Sequence, residues 1–388
     1  MRRKLIFICL YIPSILMAQN GVNFQEITLS EAFVKSKTEN KPVFFFGFAS
    51  WCTHSKKMRE EVFTDSVVAS FYNTHFICIR QDLEKGEGVE LHKKFNVKSY
   101  PTFIFLNPDG TTLYRMGGES TSSEFIEHAK NALIKENQLP YLEKQFESNI
   151  GDSTRCYAYL VALKRGSLDF DDMLQKYLNT KSETQLLTPL NWKILSNGVT
   201  DIHSKYFQFI LDHKKDYSLL ASLTRVQRKI FYTIKQQLDI AADANDTTTY
   251  AGLRTIATSL QNPQVDSLVF TIDLKLFEYN KNWSSYVSTT VQNVKIYVWN
   301  SYSQLQNIAD IYLKNIMDTV ALTQASHWAK RSLELNDSYG GYILAAKLFL
   351  KSGDNLNAKK YAQQGKDLAM KYGWNFSEAD LLLKELKQ

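Results

Sequence analysis

The residues best suited to chemistry in this sequence are its cysteines, at positions 9, 52, 78 and 156. Cys52 stands apart through its surroundings, Phe46-Gly-Phe-Ala-Ser-Trp51-Cys52-Thr53-His54-Ser55-Lys56-Lys57-Met58. An apolar run ends in a Trp-Cys pair, and helical spacing begins directly after it. At a helix start, unpaired backbone N–H groups and the helix dipole favour negative charge. A thiol there is expected to ionise more readily, and the thiolate is the nucleophile. His54 lies in the same first turn. If protonated it favours the anion further; if neutral it can donate a hydrogen bond. Cys52 is therefore expected to be an exposed, reactive sulfur. Cys78 falls inside an apolar run, where cysteine behaves as a small hydrophobe. Cys156 lies in a later segment, and its proximity to Cys52 cannot be read from the sequence.

Other chemistries find little support. His75, His92, His128, His203, His213 and His327 show no metal-ligand spacing with cysteines or carboxylates, so no metal is expected. Asp169, Asp171 and Asp172 read as a turn and helix start rather than a calcium loop. No glycine-rich phosphate loop is present, and no cofactor is implied. The net charge of +6 is spread along the chain without a Lys/Arg run, so no nucleic-acid partner is expected.

Certain elements must position Cys52. Val43 to Phe48 is apolar at nearly every position, as in a central strand buried on both faces. Thr28 or Ser30 can cap a helix before it. Helical spacing continues from Thr53 through Met58, Val62 and Phe63, and a second helix is expected over 66–73. A strand is expected from Phe76 to Arg80, ending in Gln81-Asp82. After it come a short helix over 89–95, a strand over 103–106 and a turn at Asn107-Pro-Asp-Gly110. A return strand over 111–116 and an amphipathic helix over 122–136 complete the unit.

The chain opens Met-Arg-Arg-Lys, followed by a short apolar run to Met17 and Ala18-Gln19. This pattern predicts a secretory signal over 1–18 and an exported, periplasmic-type location. With the signal removed, three cysteines remain, which leaves at least one unpaired. No later segment has enough consecutive apolar residues to span a membrane, so none is expected in the mature chain. At 388 residues, two domains are expected: 19–138 and 139–388. Beyond Pro140 strand alternation nearly vanishes, and long helices are expected over 191–214 and 220–242. Ala325 to Leu335 aligns with Ala358 to Leu368 at a 33-residue offset. This resembles tetratricopeptide-type helical repeats over about 305–372, with an irregular helical bundle as the alternative for 140–300.

The Trp51-Cys52-x-x-Ser55-Lys56-Lys57-Met58 segment after an apolar strand resembles thioredoxin-like proteins, above all the exported thiol–disulfide interchange branch. Glu61 to Val68 resembles that branch's helix end and cap, and Phe76 to Asp82 its second central strand. Tyr100-Pro101-Thr102 is similar to its cis-proline element, Pro108-Asp109-Gly110 to its turn, and Gly117-Gly118 to its late glycine. The resemblance covers about residues 25–137. It implies an α/β thioredoxin-like N-terminal domain followed by an all-α, tetratricopeptide-like region.

In that fold a cis X-Pro bond sets the preceding residue's backbone beside the thiol, where an extended substrate can pair with it. The resemblance thus assigns substrate binding to Trp51, Tyr100 and Pro101, and catalysis to Cys52, His54 and Ser55. The sequence departs from the family at two positions. Ser55 stands where the family has its second cysteine, and serine cannot resolve a mixed disulfide. Phe46 stands where thioredoxins proper carry a buried Asp. The implied function is monothiol exchange or isomerisation on protein clients, with an external thiol or reductant as partner. The alternative is a non-catalytic protein-binding module of the cell envelope.

Overall fold

The computed structural model describes residues 21–386. The expected signal over 1–18 lies outside the described residues. The N-terminal part is an α/β domain around a four-stranded sheet of order β2-β1-β3-β4. The strands are β1 (Val43–Phe48), β2 (Ile77–Asp82), β3 (Thr102–Leu106) and β4 (Thr112–Gly117). β1 and β2 are parallel, whereas β3 runs antiparallel to β1 and β4.

The continuous apolar run of β1 is explained by helices on both faces of the sheet. Successive strand residues point to opposite faces. Phe44 and Phe46 join Phe103 and Phe105 on one side, and Val43 and Phe45 join Ile104 and Leu106 on the other. The first face is covered by α3 (Ser66–His75) and α5 (Ser122–Leu133), the second by α1 (Leu29–Glu39) and α4 (Gly88–Lys94). Between α3 and α5, Tyr72 stacks on Phe125 at 4.7 Å and donates a hydrogen bond to the Phe125 carbonyl. Gly47 sits in a crowded position, where a β-carbon would lie 2.6 Å from Leu83 Cδ1, 3.1 Å from Thr102 Cγ2 and 3.2 Å from Phe45 Cε1.

The helix after the Trp-Cys pair is α2 (Thr53–Lys57), continued by a π-helical turn over Met58–Val62. Thr28 caps α1, with Glu31 returning the bond to the Thr28 backbone.

The helices that follow are α6 (Leu139–Ser148), α7 (Ser153–Arg165), α8 (Asp171–Leu178), α9 (Glu183–Leu186), α10 (Pro189–Gly198), α11 (Lys205–Asp212) and α12 (Lys214–Leu220). The expected continuous helix over 191–214 is therefore interrupted. The reason is local: Asp201 accepts a bond from the His203 N–H, and its carbonyl accepts from Ser204, making a turn between α10 and α11. The helix expected over 220–242 is α13 (Leu223–Asp243).

The described chain packs as two compact units. The first runs to Thr200 and includes Asp212–Leu223; the second holds Asp201–Leu211 and Thr224 onward. Within the first unit α6 and α7 pack on β4. The Arg165 guanidinium stands 3.7 Å from the Tyr114 ring centroid, and its Nε donates to the Arg115 carbonyl at 3.3 Å.

The second unit is helical. It contains α14 (Thr247–Ser259), α15 (Pro263–Tyr279), α16 (Trp283–Tyr297), α17 (Tyr302–Asn315), α18 (Thr319–Leu335), α19 (Tyr339–Lys351), α20 (Asn355–Tyr372) and α21 (Ser377–Glu385). Ala325, Trp328 and Ala329 of α18 share one core with Ala358, Tyr361 and Ala362 of α20. Asp273, nearly buried, is held by both Nε and Nη2 of Arg254 and by the Tyr250 hydroxyl. Among the described residues no helix is long and apolar enough to cross a membrane.

Candidate active site

β1 ends at Phe48 and the chain turns through Ala49-Ser50-Trp51, where the Cys52 N–H donates to the Ala49 carbonyl at 3.1 Å. Cys52 itself is the N-cap of α2, in extended conformation, and its side chain makes no capping bond. Its carbonyl accepts from Lys56 N–H at 3.0 Å, which starts the helix. The sulfur is left free to face elsewhere, and it faces the loop before β3. Cys52 Sγ lies 3.5 Å from the Tyr100 carbonyl oxygen. The Tyr100–Pro101 peptide is cis. Next along the chain, the Pro101 carbonyl accepts from Gly118 N–H at 3.0 Å. The start of α2 and the 100–101 loop thus meet at the sulfur, and the glycine after β4, Gly118, holds that loop from its other side.

The expected exposure of Cys52 is corrected by this packing. The residue keeps only 5% of its surface, because the 100–101 loop lies over it. Two residues close to it in the chain are open: Trp51 is 70% exposed and the His54 side chain 62%. Ser55 is fully buried, and its Oγ has no hydrogen-bond partner.

Polar contacts fix each flank. On one side the Trp51 indole N–H donates to Glu84 Oε2 at 2.7 Å, and the Trp51 ring meets Tyr100 edge-on at 6.1 Å. Burial pushes the Tyr100 phenol up, and the negative charges of Glu84 and Asp82 push it further. Asp82 ends β2 opposite Phe48. Burial works to raise its carboxyl, but hydrogen bonds from the Ser50 hydroxyl, the Glu84 N–H and Lys85 outweigh it and hold the group below the usual carboxylate range. On the other side Glu119 bridges His54 Nδ1 at 3.1 Å and Lys57 Nζ at 3.3 Å. The bond with His54, then that with Lys57, holds the Glu119 carboxyl below its ordinary value.

All six residues expected at the site therefore cluster, with Ser55 beneath the surface. Sequence reasoning missed Glu119, Glu84 and Asp82 as flanking groups. The signal for Glu119 was faint: an acid directly after Gly117-Gly118. Cys78 and Cys156 lie apart from the cluster, in β2 and α7. All three described cysteines are free thiols. Burial pushes the Cys78 thiol well up and the Cys156 thiol up to about 12. Among the described residues no group of three His, Cys, Asp or Glu is placed to hold a metal.

Comparison with known proteins agrees with this architecture. Residues 29–133 match the family described as a Thioredoxin-like domain. A disulfide bond reductase, DsbH, of Chlamydia pneumoniae is 26% identical over 124 residues, which are 29% of this chain and 75% of that protein. A thiol:disulfide interchange protein, DsbD, of Yersinia pestis is 29% identical over 119 residues, again 29% of this chain but only 20% of that protein. A proposed disulphide-isomerase of Bacteroides thetaiotaomicron, solved in solution, is 38% identical across 29% of this chain and 94% of its own, with a TM-score of 0.28. The chain thus carries a thioredoxin-like α/β domain followed by a largely helical region.

Proposed function

We propose that the thioredoxin-like domain performs monothiol thiol–disulfide exchange, or isomerisation, on protein clients through Cys52. One observation carries the reading: the Cys52 sulfur sits at the start of α2, 3.5 Å from the Tyr100 carbonyl, outside the strands and unpaired. The Cys52 thiolate attacks one sulfur of a client disulfide. A bond forms between Cys52 and that sulfur, the client bond breaks, and the second client sulfur leaves as thiolate. A client thiolate then attacks the client sulfur of the mixed disulfide. A new client disulfide forms, Cys52 returns as thiolate, and no net oxidation occurs. If an external thiolate instead attacks the Cys52 sulfur, the client leaves as thiolate and Cys52 is left in a mixed disulfide with the external thiol. A second external thiolate then displaces Cys52 as thiolate, so two external thiols are oxidised to one disulfide as the client is reduced. Ser55 has no sulfur with which to attack Cys52 in place of the external thiol. Trp51, Tyr100 and Pro101 frame the client chain, and His54 borders the thiolate.

The names of the relatives, a disulfide reductase and an interchange protein, support thiol or disulfide clients. The setting in this reading is exported and periplasmic-type, with the signal pattern over 1–18 as the address. The helices over about 305–372 are taken in this reading as tetratricopeptide-like repeats. The second reading is a non-catalytic binding module, favoured by Ser55 and by the 5% exposure of Cys52. Isomerisation of a scrambled disulfide protein decides between them. Cys52→Ala is expected to abolish the activity, while Cys78→Ala leaves it within about twofold. An unchanged rate in Cys52→Ala ends the enzymatic reading.

A further inference from the structure

Gly117 closes β4 opposite Thr102, beside the 100–101 loop. It is exposed, and a β-carbon built on it would meet three groups at ordinary contact distance. These are the Pro101 carbonyl at 3.5 Å, Ser99 Oγ at 3.8 Å and Ser167 Oγ at 4.0 Å. The bare glycine therefore leaves an open, methyl-sized notch with two hydroxyls and a carbonyl on its rim. Pro101 and Ser99 flank Tyr100, whose carbonyl touches the Cys52 sulfur. Ser167 comes from elsewhere, the loop between α7 and α8.

That loop is held firmly. Ser167 N–H donates to the Lys164 carbonyl and Leu168 N–H to the Leu163 carbonyl. A β-carbon on Gly166 would lie only 3.2 Å from Arg115 Cβ, so the loop is pressed against β4. Arg165, one residue earlier, is pinned to the Arg115 carbonyl and the Tyr114 ring. Ser167 has φ of 51°, a left-handed conformation that costs a side-chain-bearing residue energy.

We propose that the α7–α8 loop completes the client groove of Cys52. Ser167, with Ser99 and Gly117, forms a polar notch for the residue next to the client's cysteine. The notch admits a small side chain and excludes a bulky one. The helical extension of the first unit thereby sets which polypeptides reach the sulfur. This inference rests on the exchange reading above and adds the selection of its substrate.

The test uses the full chain and three disulfides: cystamine, an Ala-Cys-Ala peptide dimer and a Trp-Cys-Trp peptide dimer. The rate of adduct formation on Cys52 is read by mass spectrometry. The parent is expected to favour the Ala peptide over the Trp peptide by about tenfold, a usual size for rejection by a small pocket. Ser167→Trp is expected to lower the ratio of the Ala-peptide rate to the cystamine rate by about tenfold. Ser167→Gly, which suits φ of 51°, is expected to bring the two peptides closer together. Peptide ratios unmoved by both variants would overturn the proposal, as would an equal slowing of peptide and cystamine. A parent that fails to react with cystamine at all would instead sink the exchange reading itself.

Discussion

Cys52 and Cys78 belong to the same sheet domain, and both have little surface, 5% and 1%. Their chemistry separates on where the chain puts them. Cys78 sits within β2, in register with Phe44, and its thiol finds only distant carbonyls of Tyr72 and Phe76. Burial holds it protonated and outweighs the opposing charge of Lys41. Cys52 sits one turn beyond a strand, at a helix start, beside a backbone carbonyl and between an exposed Trp and an exposed His. Cys156, fully buried in α7, sides with Cys78. Surface area alone would group the three together, whereas backbone context divides them.

The largest change expected from breaking this contrast comes at Ser55. Its hydroxyl is buried and unpartnered beneath Cys52, so Ser55→Cys places a second sulfur there without removing a hydrogen bond. Insulin reduction is expected to rise at least about tenfold above the parent, because internal attack can then release the client. No gain would mean that the surrounding site cannot support a dithiol.

A second effect concerns the buried pair. The Cys156 thiol is pushed up to about 12 in the folded state and returns to its ordinary value, near 9, on unfolding. The folded state is therefore not penalised below that ordinary value. Above it, stability falls by about 1.4 kcal/mol per pH unit for this thiol, as the unfolded chain ionises first, until the folded value is reached. Urea unfolding from pH 8 to 11 is expected to show this decline in the parent and a shallower one in Cys156→Ala. Equal slopes would refute it.

The smallest effect is at Glu119. Glu119→Gln removes the acceptor of His54 and Lys57, an exposed contact, so Cys52 reactivity is expected to shift by only about twofold and less at high salt. The Glu119 carboxyl titrates below its ordinary value, so the clasp persists above that value and is lost as the pH falls through the lowered one. Reaction with 2,2′-dithiodipyridine, which works in acid, is expected to differ between parent and variant near neutrality and to converge in acid. A constant difference across pH would show that the clasp does not act through charge.

Much of the sheet domain was legible because its signals are local. A short apolar run at 43–48 opened by Lys41-Pro42 fits a strand covered on both faces, and Trp-Cys before helical spacing marks a turn. The approach of Tyr100 to Cys52 was readable only through a family resemblance, since nothing in residues 99–101 alone points to position 52. Glu119 and Ser167 were not readable. Glu119 meets His54 and Lys57 from more than 60 residues away, and Ser167 comes beside Gly117 from 50 residues later; such contacts leave no periodicity. The packing of α7 on β4 was hidden for a related reason. Arg165 is held by a carbonyl and a ring face, so no opposite charge in the sequence announces its partner. Exposure of Cys52 was misjudged because a helix start was treated as open, while the loop that covers it comes from 48 residues later.

The central claim is that one thiol of three is chemically distinct. Iodoacetamide labelling of the native full chain, with the rate at each cysteine read by mass spectrometry from pH 5 to 9, tests it most directly. Cys52 is expected to label first across the range, with Cys78 and Cys156 labelling only after denaturation. Labelling of Cys52 as slow as that of Cys78 in the folded protein would contradict the account.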